Sequence, residues 1–306
     1  MAAASVGNYA LFGGGASSIP LTVVDAYSSS LVHSTPTALK TARTYLGATH
    51  VGNYALFGAG ATKTAITGTV DAYNTSLTRS NPTDFGTARY YYGAATIGDY
   101  ALFGGGTQPY SGTESNAVDA YNTSLTRSSP SNLSSKRYLV CGAANNNYAL
   151  FCGGYYSGYK NTVDAYNASL VRSTPTALSE ARAGAKAASV GDYALIGGGF
   201  STARVATVDA YNASLVRSTP AALSVARSAH AATTIGDYAL FGGGTTDGTQ
   251  VVTTVDAYNA SLVRSTPTGL SVARGSFAAT TIGDYALFGG GLASADSSVV
   301  DVYNLA

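Results

Sequence analysis

Histidine and cysteine, which often carry acid–base, nucleophilic or metal chemistry, are rare in this chain of 306 residues. The three histidines are His33, His50 and His230, and they fall at different positions of a repeated sequence unit. No two of them have the short spacing of a metal-binding pair. His33 stands where the other copies of the unit carry an arginine. We therefore predict no metal site, no cofactor and no catalytic centre, and hence a protein that is not an enzyme.

Aspartate is more common, but its placement indicates a structural role. One aspartate follows valine in each Val-Asp-Ala-Tyr segment, or Val-Asp-Val-Tyr in the last copy, at Asp25, Asp71, Asp119, Asp164, Asp209, Asp256 and Asp301. A side chain that occurs once in every unit serves the unit, whereas a site is built on the fold from specific residues. We predict that these aspartates stabilise the fold.

The two cysteines are expected to face each other across one hairpin. Counting outward from a turn at Asn146 and Asn147 pairs Cys141 with Cys152. A directly opposed pair of this kind has Cα atoms about 5.5 Å apart, which is within disulfide range. Two interpretations stay open: free thiols, or a disulfide if the compartment is oxidising.

Tyrosines outside the repeated pattern are the main candidates for binding. Of 23 tyrosines, seven lie in Tyr-Ala-Leu and seven in Asp-Ala-Tyr or its last copy Asp-Val-Tyr. The other nine all fall in the second to fourth copies: Tyr45, Tyr90, Tyr91, Tyr92, Tyr110, Tyr138, Tyr155, Tyr156 and Tyr159. Tyrosine supplies a large amphipathic contact surface at low entropic cost. We predict that these nine residues form a ligand-binding surface.

A repeat defines the elements that must position these residues. Each unit reads as an apolar Tyr-Ala-Leu-Phe segment with glycines, a variable spacer, Val-Asp-Ala-Tyr, and a segment such as Ser-Leu-Val-Arg-Ser-Thr-Pro. Successive aspartates of the third segment lie 45 to 48 residues apart. This period fits the four-stranded blades of a propeller, and the glycines and β-branched residues argue against helical repeats.

The sixth copy illustrates the expected strands. We place strand a at 227–234, strand b at 238–241, strand c at 254–258 and strand d at 262–265. Gly236 followed by Asp237 predicts a type II′ turn between strands a and b, and in the fourth copy asparagines that tolerate positive φ take this turn. The arginine and proline of strand d suit an outer edge, so the strands run from a at the axis to d at the rim.

These segments resemble the kelch repeat. The shared features are a double glycine closing an apolar strand, a tyrosine in the following Val-Asp-Ala-Tyr-Asn, and an arginine opening the next inner strand after Leu-Ser. The resemblance covers essentially the whole chain and implies a propeller. The kelch tryptophan of strand d is absent, and near its position stand Leu31, Leu77, Leu125, Leu170, Leu215 and Leu262.

We predict an all-β fold, a seven-bladed β-propeller of four-stranded antiparallel blades. One domain spans residues 1–306, with blades at approximately 2–42, 43–88, 89–136, 137–181, 182–226, 227–273 and 274–306. Strand d occurs only six times, so the last blade has three strands and a free edge around residues 299–303. Either the chain is cut from a longer protein, or this edge pairs with a partner strand, which would make self-association possible.

Composition excludes several partners. The net charge is +1 and most charges belong to the repeat, so no basic stripe is left and we predict no nucleic-acid binding. No run of 18 apolar residues suggests a membrane span. No signal peptide is visible at the start of the sequence, and the localisation is left open.

The variable spacers between strands b and c differ most between copies, and topology places them at the same face as the nine tyrosines. Variable loops on a constant scaffold are a common form of recognition surface. We therefore expect a non-catalytic binding propeller whose b-to-c face, in blades 2 to 4, holds a glycan or protein ligand. The alternative is a structural component of a virion, appendage or surface layer with no small-molecule ligand.

Overall fold

The computed structural model describes residues 1–108 and 113–304. In this part of the chain all regular structure is β, in seven blades around one axis. The strands of each blade follow the order a-b-c-d, all antiparallel, and blade 7 has strands a, b and c. The predicted fold class is confirmed. No helix among the described residues could span a membrane.

The strand bounds repeat closely from blade to blade. Strands a are Ala2–Val6, Gly47–Val51, Gly93–Ile97, Cys141–Ala144, Lys186–Val190, Ala231–Ile235 and Ala278–Ile282. Strands b are Tyr9–Gly13, Tyr54–Ala61, Tyr100–Gly104, Ala149–Cys152, Tyr193–Gly197, Tyr238–Gly242 and Tyr285–Gly289. Strands c are Val24–Ser28, Ile66–Asn74, Val118–Asn122, Val163–Tyr166, Val208–Tyr211, Val255–Asn259 and Val300–Asn304. Strands d are His33–Ser34, Arg79–Ser80, Arg127–Ser128, Arg172–Ser173, Arg217–Ser218 and Arg264–Ser265. Blade 3 adds a ribbon of Thr107–Gln108 and Thr113–Glu114.

Neighbouring blades interlock through phenylalanine and glycine. The glycine that ends strand b has no side chain because the phenylalanine ring of the next blade occupies that space: a Cβ on Gly13 would lie 2.8 Å from the ring of Phe57. The same contact closes the ring, where a Cβ on Gly289 of blade 7 would lie 2.9 Å from Phe12 of blade 1. Among the described residues, blades 7 and 1 therefore meet through side-chain packing.

In blades 2 to 7 the repeated aspartate holds the blade to the segment that enters it. In blade 5, Asp209 accepts from Arg182 at 2.8 Å, from Arg217 at 3.0 Å and from the backbone N–H of Ser179 at 3.0 Å. Both Asp209 and Arg182 have fully buried side chains. Leaving either charge without its partner would be costly. The predicted structural role is confirmed for the six aspartates of blades 2 to 7, whereas Asp25 of blade 1 pairs only with the exposed His33 among the described residues.

Strands a and d are shorter than predicted. Strand d of blade 6 contains only Arg264–Ser265 because Leu262 lies in the preceding turn, with φ 61° and its N–H donated to Asn259. Strand a starts at Ala231 because Ala229, inside the predicted range, has φ 54° and interrupts the extended backbone.

The hairpin turns follow the prediction except in blade 4. Gly236 has a positive φ of 47°, and the following Asp237 does not have a positive φ. This combination is the one that a type II′ turn requires. In blade 4 neither Asn146 nor Asn147 has positive φ, so the expectation for this turn was wrong. There the side chain of Asn145 accepts from the N–H groups of Asn147 and Tyr148 and holds the turn.

Candidate functional site

Six of the predicted tyrosines form a continuous series of ring contacts, which we call the tyrosine strip: Tyr45, Tyr90, Tyr91, Tyr138, Tyr155 and Tyr159. Ring centroids lie 4.6 Å apart for Tyr45 and Tyr91, 4.7 Å for Tyr90 and Tyr91, and 6.4 Å for Tyr91 and Tyr138. The series continues at 5.7 Å from Tyr138 to Tyr155 and at 5.1 Å from Tyr155 to Tyr159. The structure thus brings together tyrosines that are more than 100 residues apart in the sequence.

Two members of the strip have an unusual backbone. Tyr45 has φ 54° and Tyr91 has φ 58°, in the left-handed region that bulky residues rarely adopt. The equivalent residues of blades 4 to 7 have the same conformation, with φ between 53° and 61°, at Leu139, Gly184, Ala229 and Ser276. Since Gly184 shares this φ, the conformation belongs to the repeat and the tyrosine side chain is not its cause.

Backbone bonds fix this conformation in each blade. In blade 3, Tyr90 and Thr107 exchange two backbone hydrogen bonds at 2.9 and 3.2 Å, which tie the entering chain to the b-to-c spacer. The carbonyl of Tyr91 then accepts from the N–H of Leu139 in the next blade at 2.7 Å. The left-handed residue lies between these two connections, so its side chain projects from a rigid base.

The strip combines exposed and half-buried rings, and burial affects the hydroxyl groups of Tyr91 and Tyr138. Tyr45 is 50% exposed, and the other members are half-buried. Burial and a hydrogen bond with Tyr45 raise the pKa of Tyr91 well above its ordinary value, and burial raises the pKa of Tyr138. Their hydroxyl groups therefore stay protonated near neutral pH and can donate or accept hydrogen bonds.

Three of the nine predicted residues lie outside the strip. Tyr110 lies outside the described residues. Tyr156 is 40% exposed in the loop that joins Tyr155 to Tyr159. Tyr92 is buried between blades 2 and 3, where its hydroxyl donates to the carbonyl of Gly58 and accepts from the N–H of Gly47. Tyr92 therefore belongs to the interior, and a ligand on the strip would not reach it.

The strip extends one blade further than the tyrosines indicated. The ring of Phe200 lies 5.8 Å from that of Tyr159, and the guanidinium of Arg204 lies 5.4 Å from the Phe200 ring. Phe200 and Tyr155 occupy the same position of the repeated unit. Each comes directly after the double glycine of its blade, blade 5 for Phe200 and blade 4 for Tyr155. Arg204 forms no ion pair with a described residue, unlike the arginines of the repeat.

The cysteines have the predicted register and are present as free thiols. Cys141 is paired with Cys152 across strands a and b of blade 4, and both are buried. Burial raises the pKa of Cys141 to about 11 and that of Cys152 well above its ordinary value. Neither is a reactive thiolate near neutral pH.

The histidines are separated in the structure. His33 forms a 2.8 Å hydrogen bond with Asp25, and His230 is fully buried next to the ring of Phe241. Burial lowers the pKa of His50 and, more strongly, that of His230. Among residues 1–108 and 113–304, no three His, Cys, Asp or Glu side chains are grouped to hold a metal ion.

Comparison with known proteins shows the fold alone. No protein-family model matches the sequence, and no curated protein matches it. By structure, 450 chains are similar. One is the structure of YjhT, with a TM-score of 0.68 and 14% identity over 86% of this chain and 97% of that chain. The seven-bladed propeller is therefore established, while the kelch resemblance stays an interpretation.

Proposed function

We propose that this propeller is a non-catalytic binding module whose ligand, a glycan or a protein segment, lies along the tyrosine strip. The strip runs across blades 2 to 4 and continues to Phe200 and Arg204 of blade 5. It combines aromatic faces with neutral hydroxyl groups and one cation. Such a surface can stack against a ligand and hydrogen-bond to it at the same time.

The observation that carries this proposal is the continuous series of ring contacts that joins six tyrosines of three adjacent blades on one face. The backbone at the position of Tyr45 and Tyr91 is left-handed in blades 2 to 7, and glycine, found there in blade 5, avoids a cost of about 1–2 kcal/mol. A bulky aromatic residue at this position therefore gives the backbone no advantage, which supports a role on the surface.

The fold does not require these rings. Blades 5, 6 and 7 have Gly184, Ala229 and Ser276 at the same position and keep the same backbone pairing. Tyr45 is also half exposed, so much of its ring is in contact with solvent rather than with the core. Residues that fill gaps between blades, such as Tyr92, are buried instead.

The proposed ligand is extended rather than a small molecule in a deep pocket. Two cavities of the described structure lie away from the strip. One of about 530 Å³ lies between the rims of blades 2 and 3, beside Ser80 and Arg127. The other, of about 270 Å³, lies beside Asn145 and Gly191, near the a–b turns. The strip itself crosses several blades, which suits an oligosaccharide or an extended peptide.

The test is the triple replacement of Tyr91, Tyr155 and Tyr156 by alanine, screened with the unchanged protein on a glycan array and a displayed-peptide library. We expect the triple variant to lose the ligand that the unchanged protein binds, with nearly the same melting temperature. A matched control is Tyr238→Ala, because Tyr238 is 40% exposed but starts strand b at the opposite face. The proposal fails if the triple variant still binds, or if Tyr238→Ala weakens binding as much.

The second candidate function is a structural component of an assembly, favoured by the free edge of blade 7. Among the described residues, no fourth strand lies beside strand c there, Val300–Asn304, and Val302 is 42% exposed. A component of this kind would self-associate in light scattering, and Val300→Pro would abolish the association. A monomer at all protein concentrations would exclude this role.

A further inference from the structure

We propose that the ligand of the tyrosine strip is an acidic glycan whose carboxylate or sulfate binds the guanidinium of Arg204. This inference rests on the proposed function of the strip and adds the chemical class of the ligand. Arg204 lies at the blade 5 end of the strip, where the ring of Phe200 contacts that of Tyr159.

Arg204 differs from every other arginine of the chain. The other eleven each form an ion pair with a repeated aspartate. Arg204 is half-buried, its Nε atom is buried without a hydrogen-bond partner, and no ion pair joins it to a described residue. Because arginine stays charged at all physiological pH values, its donors remain available for an anion from outside the chain.

The position of Arg204 in the repeated unit places it on the strip. Arg204 and Tyr159 each lie five residues before the aspartate of their blade. Phe200 is paired with Arg204 across a short loop, as Tyr155 is paired with Tyr159 in blade 4. Side chains of directly opposed residues lie on the same face of such a pair. The guanidinium therefore takes the place of a strip tyrosine and faces the same way.

Two glycines leave space around this pair of side chains. A Cβ on Gly184 would lie 2.8 Å from the ring of Phe200, so the ring covers the backbone at this position. A Cβ on Gly248, in the spacer of blade 6, would lie 2.9 Å from a terminal nitrogen of Arg204. The guanidinium is thus held between the Phe200 ring and the backbone of the next blade, and a group fixed in this way loses little entropy on binding.

An acidic residue adjoins this contact in the sequence but does not neutralise the arginine. One carboxylate oxygen of Asp247 accepts from the N–H of Thr249 at 2.8 Å, from its hydroxyl at 3.0 Å and from the N–H of Gln250 at 2.7 Å. These bonds hold the carboxylate in its own loop, although the adjacent Gly248 lies against the guanidinium. An anion of the ligand is therefore the matching partner for Arg204.

Backbone pairing favours a glycan over a peptide strand. Tyr155 exchanges two backbone hydrogen bonds with Tyr138, and Phe200 exchanges two with Ala183. The N–H and C=O groups of Tyr155 and Phe200 are therefore engaged and do not offer an edge for strand addition. Ring faces, phenol hydroxyls and the guanidinium remain. The C–H face of a sugar can stack on an aromatic ring, and a carboxylate or sulfate matches the paired donors of arginine.

The test is an array of matched oligosaccharide pairs. Each pair contains a glycan with a sugar carboxylate or a sulfate and its neutral form, in which the carboxylate is reduced to an alcohol or the sulfate is removed. We expect the unchanged protein to bind an acidic member about tenfold or more tightly than its neutral partner. Arg204→Gln should bind both members with the affinity of the neutral one. Arg204→Lys should be intermediate, because it keeps the charge and loses the fork of donors.

The matched control is Lys63→Gln, which removes one positive charge from the exposed b-to-c loop of blade 2 and should keep the preference for acidic members. An unchanged melting temperature would show that Arg204→Gln folds. Equal affinity for the two members of every pair, a preference that survives in Arg204→Gln, or an equal loss in Lys63→Gln would overturn this inference.

The same measurements separate this inference from the proposed function. Binding of peptides but of no glycan would overturn the inference and leave the binding strip in place. If the acidic glycans bind equally well to the triple variant of Tyr91, Tyr155 and Tyr156, the proposed function fails and the inference fails with it. Binding of neither glycans nor peptides by the unchanged protein would overturn both.

Discussion

The left-handed backbone at Tyr45 gives a stability prediction with an unusual sign. At most positions alanine is more stable than glycine, because glycine has more freedom in the unfolded chain. Tyr45 has φ 54°, so both tyrosine and alanine are strained there and glycine is not. We expect Tyr45→Gly to be more stable than Tyr45→Ala.

The size of the difference follows from two opposing terms. Removing the left-handed strain favours glycine by about 1–2 kcal/mol, and the unfolded-state freedom of glycine offsets about 0.4–1 kcal/mol of this. The net advantage of glycine over alanine is then about 0.5–1 kcal/mol. Both variants lose the ring contacts with Tyr90 at 5.6 Å and Tyr91 at 4.6 Å, so this loss cancels in the comparison.

The assay is urea unfolding of the two variants side by side, with the free energy of unfolding taken from midpoints at equal m-values. Ala229→Gly is a matched control: its φ is 54°, and it should gain a similar amount of stability without any ring contact being lost. The reasoning is refuted if Tyr45→Ala is as stable as Tyr45→Gly, or if Ala229→Gly is destabilising.

Three further predictions concern the interior. Asp209→Asn leaves the buried Arg182 unpaired and should cost about 3–5 kcal/mol of unfolding free energy in urea titrations. Burial lowers the pKa of His230 below that of the unfolded chain, so its unfolded form takes up a proton first as the pH falls. Stability should therefore decline below about pH 6.5 by up to about 1.4 kcal/mol per pH unit, and His230→Phe should remove this part of the slope. Cys141 and Cys152 should give two titratable thiols in denaturant without reductant, and almost none in the native protein.

The repeat supplies controls for these measurements. Asp25→Asn should cost less than about 1 kcal/mol, because its partner His33 is 48% exposed. We expect phenylalanine to fit at position 230, since Phe277 occupies the equivalent position of blade 7. A small effect of Asp209→Asn, an unchanged acid slope in His230→Phe, or the absence of titratable thiols in denaturant would each contradict the corresponding prediction.

Much of the architecture followed from the sequence because each local signal repeats seven times. The glycine–aspartate turns, the buried apolar segment and the strand order were correct. The predicted strand d is too long because Leu262 is apolar and therefore suggests a strand. In the structure the side chain of Asn259 accepts hydrogen bonds from the N–H groups of Ser261 and Val263, and these bonds form a turn there. This side-chain bond competes with strand pairing and is not visible in an apolar pattern.

The candidate site was predictable only in part. Nine tyrosines were selected by type, and type alone does not distinguish Tyr92, which is buried against Gly47 and Gly58, from its neighbour Tyr91. Selection by tyrosine alone leaves out Phe200. Its position in the unit, directly after the double glycine, was the available signal.

The sequence by itself determined the blades, because period, turn residues and burial pattern are local properties that repetition reinforces. Tertiary structure decided which side chains meet. Only the packing of adjacent blades brings Tyr45, Tyr91 and Tyr138 into contact, and it buries Tyr92 while leaving Tyr91 partly exposed. The physical reason is that these contacts join residues of different units, whose distance and orientation depend on how the blades pack rather than on any one unit.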